Sequence, residues 1–301
     1  MYVYAFDDEC YQKLMKLRLP KMSVISLKEL ETKELLDVKP TRNRAEYCWT
    51  CGPSAIYHTI RNFNLEHCTY IDADLMFFNS PKIAFDTIES VNASIAITEH
   101  FTPKEDPAGK YCVQFVYFKN DKDGMAALKW WKDSCIEWCY ARYENGRYGD
   151  QKYLDMFPSK FRNVYIFEDR GIGVAPWNMN QYRFQNNYQF MFNEKSYSIV
   201  FFHFHGTSIS LENKKLILRT VTYDLSVSIK NIIFDAFMKR YKNVCKTYLC
   251  VDIDGYIVKR RKIYERLYSK IKSIFKNINF IRNIFYFLSN KRYNGYEKDI
   301  I

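Results

Sequence analysis

Residues 67–78 read His-Cys-Thr-Tyr-Ile-Asp-Ala-Asp-Leu-Met-Phe-Phe, a β-prone apolar run interrupted by two carboxylates, Asp72 and Asp74. The pattern predicts a strand over residues 67–75. A bare Asp-x-Asp is usually a solvated turn. Carboxylates set between apolar runs are costly to bury unless they bind something, which raises the binding role here. Two carboxylates at i and i+2 lie on one side of an extended chain. From there they can share one divalent cation, and that cation can neutralise a diphosphate.

Strands and helices alternate around this point. Residues 3–6, 24–27, 93–98, 113–118 and 199–204 read as strands, and residues 9–17, 27–36, 45–63 and 124–143 as helices. Residues 149–156 read as a short helical entry stopped by Pro158. This order predicts an α/β fold with a mixed, mostly parallel central sheet and a ligand beyond the carboxyl ends of its strands. The signals weaken from Ser208, and after Gly255 a long basic helical pattern begins. The expected organisation is a catalytic domain over residues 1–255 and a helical segment over 256–301.

Composition narrows the partners. Residues 256–301 hold twelve Lys/Arg against Glu265, Glu297 and Asp299, which is +9 of the net +11 and leaves +2 for the rest. A dedicated nucleic-acid binder carries basic residues across its globular part, so nucleic acid is not expected as a partner. Nine cysteines at irregular spacings, with Cys48-x-x-Cys51 the one CxxC, read as buried or half-buried thiols in a reducing compartment. Neither a signal-peptide pattern nor a run of about 18 apolar residues is present. The expectation is a cytoplasmic protein.

Two further clusters carry chemistry. His203 and His205 alternate at the end of a strand, which delivers both to one face. An imidazole added to carboxylates suits Mn²⁺ better than Mg²⁺. In Tyr-Gly-Asp-Gln-Lys-Tyr-Leu-Asp, Asp150 taken alone reads as a helix N-cap. Gln151 beside it can hydrogen-bond sugar hydroxyls. Gly171-x-Gly173 lacks the third glycine of a dinucleotide loop and reads as a turn into a loop lining the site.

In this order the motifs resemble the GT-A glycosyltransferases of the family 8 type, glycogenin-like and lipopolysaccharide hexosyltransferase-like. The likeness is closer still to bacterial capsule and lipopolysaccharide transferases. Those carry a Tyr-Cys-Trp-Thr-Cys-x-Pro-Ser block, here residues 47–54, and a Gly-Asp-Gln-Lys-Tyr-Leu-Asp block, here residues 149–155. The resemblance spans about residues 1–206 and implies a GT-A fold and a nucleotide-diphosphate sugar donor. It also implies a glycan or lipid-linked acceptor in surface polysaccharide synthesis. By the same likeness Ala5, Phe6, Asp7, Trp49 and Gln114 join Asp72 and Asp74 around the donor. Asp72, Asp74 and His203, with His205 as second choice, would hold Mn²⁺ or Mg²⁺. Asp150 and Gln151 would act on donor sugar and acceptor, with retention implied. Where family 8 continues into Lys-Pro-Trp this chain has Thr207-Ser208-Ile209, and Gln114 is the nearest amide to the family's usual asparagine.

Two other classes compete. A sugar nucleotidyltransferase would open with a Gly-rich phosphate loop, whereas Phe6-Asp7-Asp8-Glu9 is acidic and lacks glycine. A non-enzymatic binding module rests on the tail, where Leu267, Ile271, Ile274, Ile278, Ile281, Phe285 and Leu288 form one helical stripe beside Arg266, Lys270, Lys272, Lys276 and Arg282. Such a stripe suits an anionic membrane surface through residues 256–290, placing the protein peripherally on the inner face. It equally fits a coiled-coil seam in a homo-oligomer.

Overall fold

The computed structural model describes residues 1–102, 106–213, 215–220, 229–248 and 255–260. They divide into two units, Met1–His205 with Asp224–Asp252, and Gly206–Tyr223 with Ile253–Ile301. The first unit opens with β1 (Tyr2–Ala5), α1 (Asp8–Leu17), β2 (Ser23–Ser26), α2 (Leu27–Leu30), α3 (Lys33–Val38) and α4 (Arg44–Asn62). It continues through β3 (His67–Ile71), β4 (Leu75–Phe77), α5 (Lys82–Ser90), β5 (Ile95–Glu99), β6 (Tyr111–Lys119) and α6 (Lys122–Glu137). After a 3₁₀ turn at Gln151–Met156 come α7 (Phe157–Lys160), β7 (Val164–Phe167) and β8 (Ile172–Val174). β9 (Arg183–Gln185), β10 (Gln189–Phe192) and β11 (Lys195–Ser198) form a meander before β12 (Phe201–His203). α8 (Asp235–Tyr248) belongs to this unit as well.

The helix starts follow local chemistry. Asp7, Thr32, Asn43 and Asp121 each accept a hydrogen bond from the backbone N–H three residues on, satisfying a donor that has no partner inside the helix. The single helix expected over residues 27–36 is two. Glu31 turns out of helical geometry (φ −66°, ψ 100°) and Thr32 caps a new start. Pro158 does not stop a helix. It sits in the first turn of α7, where a missing N–H has no partner to lose.

The central sheet has the order β3-β6-β5-β7. It is mixed, not mostly parallel: β6 runs antiparallel to both neighbours, and only β5 and β7 are parallel. The β5–β6 connection, residues 100–110, is too short for the crossover that parallel neighbours need. Period-two alternation sends Ile95, Ile97, Val116 and Phe118 to one face, where they pack with Ile56 and Ile60 of α4 and Leu128 and Trp131 of α6. Ala96, Phe115 and Tyr117 point the other way, against Ala84 and Ile88 of α5 and against Phe167 and Phe201. With both faces covered, the carboxylates are left to the strand ends.

The strand expected over residues 67–75 breaks at Asp72. Leu75 N–H donates to the Asp72 carbonyl at 3.4 Å, and the chain leaves the central sheet to enter a second one, β4-β12-β8. The carboxylate pair lies in the turn between the two sheets. Behind β12, Phe204 stacks on Phe237 of α8 with ring centroids 4.0 Å apart.

In the second unit β13 (Ser208–Glu212) and β14 (Lys215–Thr220) pair antiparallel, and β15 (Gly255–Arg260) adds to β14 in parallel. Residues 255–260 are therefore strand where the sequence pattern leads one to expect helix. Tyr256, Ile257 and Val258 are β-prone and register with Leu216, Ile217 and Leu218. The amphipathic stripe from Tyr264 onward, and with it the membrane or oligomer segment, lies outside the described residues. Among the described residues no helix is long and apolar enough to cross a membrane.

Candidate active site

β4 and β12 are antiparallel with Leu75 opposite His203. The residues just before β4 therefore meet those at the end of β12, and Phe204 N–H donates to the Asp74 carbonyl at 2.8 Å. His203 Nε2 lies 3.0 Å from Asp74 Oδ1 and 3.7 Å from Asp72 Oδ2. Ligand atoms of Asp74, His203 and His205 all fall within 4.8 Å of one another. His203 is buried, at 4% exposure, while Asp74 and His205 are exposed, so the group is rigid on one side and open on the other. One carboxylate and two imidazoles, with a second carboxylate alongside, fit a borderline divalent cation. His205, the second choice from sequence, is thus inside the group, and Asp72 stands beside it.

Electrostatics divide the two carboxylates. Burial raises the pKa of Asp72, against the pull of His203. Burial also works on Asp74, but the hydrogen bond to His203 and its charge outweigh it and hold that carboxyl below the ordinary range. Tyr70, two residues before Asp72, is held well above its ordinary range by burial and then by Asp72. It stays a phenol and donates to Asp72 Oδ1 at 2.9 Å. Tyr70 escaped the sequence reading, although strand alternation puts it on the same face as Asp72.

Asp150 lies close by. A Cβ at Gly52 in α4 would sit 3.7 Å from Asp150 Oδ2 and 4.0 Å from the Tyr70 ring, so this glycine leaves the space in which the two meet. Asp150 is buried and makes no cap hydrogen bond, so the N-cap reading fails. Its backbone is held by Trp131 Nε1, which donates to its carbonyl at 2.8 Å. Burial, and after it the charge of Asp72, push its pKa up to about 7. Trp49 packs over Gly149, the preceding residue, whose φ of +54° suits glycine.

The other candidates are placed elsewhere or used otherwise. Gln151 spends its amide on backbone, accepting from Val113 N–H at 3.3 Å and donating to the Ala108 carbonyl at 3.4 Å. Gln114 is wholly buried, with its amide hydrogen-bonded to His203 and Thr98. Ala5 is buried at 1% exposure, and Asp7 caps α1 and pairs with Arg44 at 3.4 Å. Phe6 lines a cleft with Leu27, Lys39, Arg42, Asn43, Arg44 and Tyr47. The loop expected after Gly171-x-Gly173 does line the site. Its Trp177 meets the rings of His203 and His205 edge-on at 5.2 and 5.7 Å, and its Nε1 is anchored on the His100 carbonyl. The eight cysteines among the described residues are all free and buried or half-buried.

Over 236 residues the chain is 30% identical to the uncharacterized protein YfnF of Bacillus subtilis (strain 168), covering 75% of this chain and 78% of YfnF. The chain belongs to the YfnF family. YfnD of the same organism, also uncharacterized, is 29% identical over 222 residues, 71% of this chain and 70% of YfnD. No protein-family model matches the chain. Among solved structures, it aligns with a glycosyltransferase involved in the glycosylation of the major capsid of PBCV-1, at 14% identity and TM-score 0.41, over 69% of this chain and 92% of the other. It also aligns with mouse xyloside xylosyltransferase 1 in its apo form, at 13% identity and TM-score 0.41, over 67% and 82%. Likeness at that level carries no functional argument, which is left to the site.

Proposed function

We propose that this chain is a metal-dependent glycosyltransferase of the GT-A type. It would move a sugar from a nucleotide-diphosphate donor to a glycan or lipid-linked acceptor. The observation that carries the reading is the meeting of Asp72, Asp74, His203 and His205 at the junction of β4 and β12. These four would hold Mn²⁺ or Mg²⁺, which when bound supplies a Lewis acid to the leaving diphosphate.

The remaining work falls to the chain. Tyr70 fixes one oxygen of Asp72, so that the other faces His203. Asp150 holds its proton to about pH 7 and shares a wall with Tyr70. In a retaining reaction, which the family 8 likeness implies, it orients acceptor and donor sugar. In an inverting one it takes the acceptor's hydroxyl proton. The Phe6 cleft, with Lys39, Arg42 and Arg44, offers a ring and cations to the nucleotide. A place in surface polysaccharide or lipopolysaccharide synthesis, on the inner face of the membrane, completes the proposal.

The test is a screen of nucleotide-diphosphate sugars with the full chain and Mn²⁺, read as nucleotide release. One donor is consumed, and Asp74→Ala or a chelator abolishes it. No consumption above the Asp74→Ala control, or full activity in chelator, refutes the reading. Membrane docking is tested by flotation with anionic and neutral liposomes, comparing the full chain with one ending at Arg260, which keeps β15. Equal binding of the two chains removes the anchor and favours oligomerisation.

A further inference from the structure

β5 and β6 pair regularly up to Ile97 opposite Val116, and the next pair is Thr98 opposite Cys112. Residues 113–115 therefore bulge out of the β5 side of the ladder, and a bulge re-aims the side chain it carries. Its backbone is satisfied from outside: Val113 N–H by Gln151, and the Gln114 carbonyl by Asp72 N–H at 3.2 Å. The Gln114 side chain is turned toward β8 and β12. There the absence of a side chain at Gly173, where a Cβ would stand 3.1 Å from Gln114 Nε2, leaves it room.

The hydrogen-bond network assigns every atom of this amide. The Thr98 hydroxyl donates its one hydrogen to the Cys112 carbonyl at 3.2 Å. Its oxygen can then only accept, and the Gln114 NH₂ end, 3.4 Å away, donates to it. The carbonyl end of Gln114 must therefore be the atom 2.9 Å from His203 Nδ1. Two acceptors cannot share that contact, so Nδ1 carries the hydrogen. A neutral imidazole has only one. In the neutral ring Nε2 is therefore the atom that carries the lone pair, 3.0 Å from Asp74 Oδ1 and 3.7 Å from Asp72 Oδ2. A lone pair facing carboxylates at that range is repulsive unless something positive lies between them: a proton on Nε2, which makes the hydrogen bond to Asp74, or a cation in its place.

We propose that Gln114 is a positioning residue. Held in one orientation by Thr98, its carboxamide fixes His203 in the Nδ1–H tautomer, so that Nε2 points at Asp72 and Asp74 as a ready cation ligand. The inference deepens the metal-site reading and rests on it. Gln114 acts through His203 and touches no substrate, and Gln151 and Gly173 serve the same bulge and amide.

The experiment uses the full-length protein with ¹⁵N-histidine labelling. Long-range ¹H–¹⁵N correlation reports the His203 tautomer at a pH where the ring is neutral, and His203→Asn assigns the signals. Mn²⁺ affinity is followed separately by electron paramagnetic resonance, and melting curves confirm that each variant folds. The wild type shows Nδ1–H. Gln114→Leu and the near-isosteric Thr98→Val lose that pure tautomer and bind Mn²⁺ about 10–100-fold more weakly, the usual cost of removing an outer partner of a ligand. Gln114→Glu keeps an acceptor at Nδ1 and restores both. An Nε2–H tautomer in the wild type overturns the proposal, as does unchanged tautomer and affinity in both Gln114→Leu and Thr98→Val. If the wild type shows Nδ1–H, Gln114→Leu loses it and neither binds Mn²⁺, the positioning role stands and the metal reading falls.

Discussion

Replacing Asp150 by Asn separates a buried active-site carboxyl from a helix cap. In the folded chain, burial and the charge of Asp72 raise its pKa from 3.8 to about 7. Unfolded, it titrates near the ordinary value. Between those two pH values the folded chain keeps a proton that the unfolded chain has released. Its contribution is therefore most favourable below about pH 4, declines as pH rises to about 7, and stays at its worst above that. At roughly 1.4 kcal/mol per pH unit, the interval is worth ~4 kcal/mol. Asn is neutral throughout and escapes the penalty. Asp150→Asn should therefore be more stable than wild type by up to ~4 kcal/mol at pH 8, or on the order of 10 °C in Tm, and nearly equal to it at pH 4. A cap reading predicts almost no change at any pH, because Asn caps a helix as well as Asp does. The assay is thermal melting of both proteins in chelator from pH 4 to 9; donor hydrolysis, measured separately with Mn²⁺, should fall by orders of magnitude in the variant. A stability difference that does not change with pH, or an Asn variant weaker at pH 8, refutes the reasoning.

Asp72→Asn and Asp74→Asn should abolish donor hydrolysis. In circular-dichroism melts at neutral pH the Asp72 variant should be no less stable than wild type, since burial disfavours that charge, and the Asp74 variant less stable, since His203 favours that one. His203→Ala should weaken Mn²⁺ binding more than His205→Ala, measured by paramagnetic resonance, because His203 is buried and hydrogen-bonded while His205 is exposed. The reverse order would make His205 the principal ligand. Gly171→Ala puts a methyl 1.9 Å from the Ser198 carbonyl and should cost ~3 kcal/mol or more in urea titration, because neither backbone can give way cheaply. Gly146→Ala, with no atom within 4 Å and φ +76°, should cost only the ~1–2 kcal/mol of its backbone conformation.

Much of the local structure is legible because its causes are local. The caps at Asp7 and Asn43, the apolar periodicity of α4 and the alternation of β5 and β6 each lie within a few residues of what they govern. Direction of pairing is not legible in the same way. A period of two looks alike in parallel and antiparallel strands, and the reversal of β6 follows from the shortness of the β5–β6 connection. β15 resembles the start of a helix until β14 offers its Leu-Ile-Leu edge to pair with.

The site divides along the same line. That Asp72, Asp74, His203 and His205 end apolar strands was written in the sequence, because burying a strand leaves its polar neighbours only the ends. Which of their atoms stay free was decided by packing alone. Gln114 and Gln151 look in sequence like amides for a ligand. In the fold, a bulge in β6 has backbone groups and an imidazole that must be hydrogen-bonded, and both amides are spent on them. Asp150 likewise reads as a cap until Gly52, Tyr70 and Trp131 enclose it. A carboxyl's proton affinity depends on the water and charge around it, and residues distant in the chain set both.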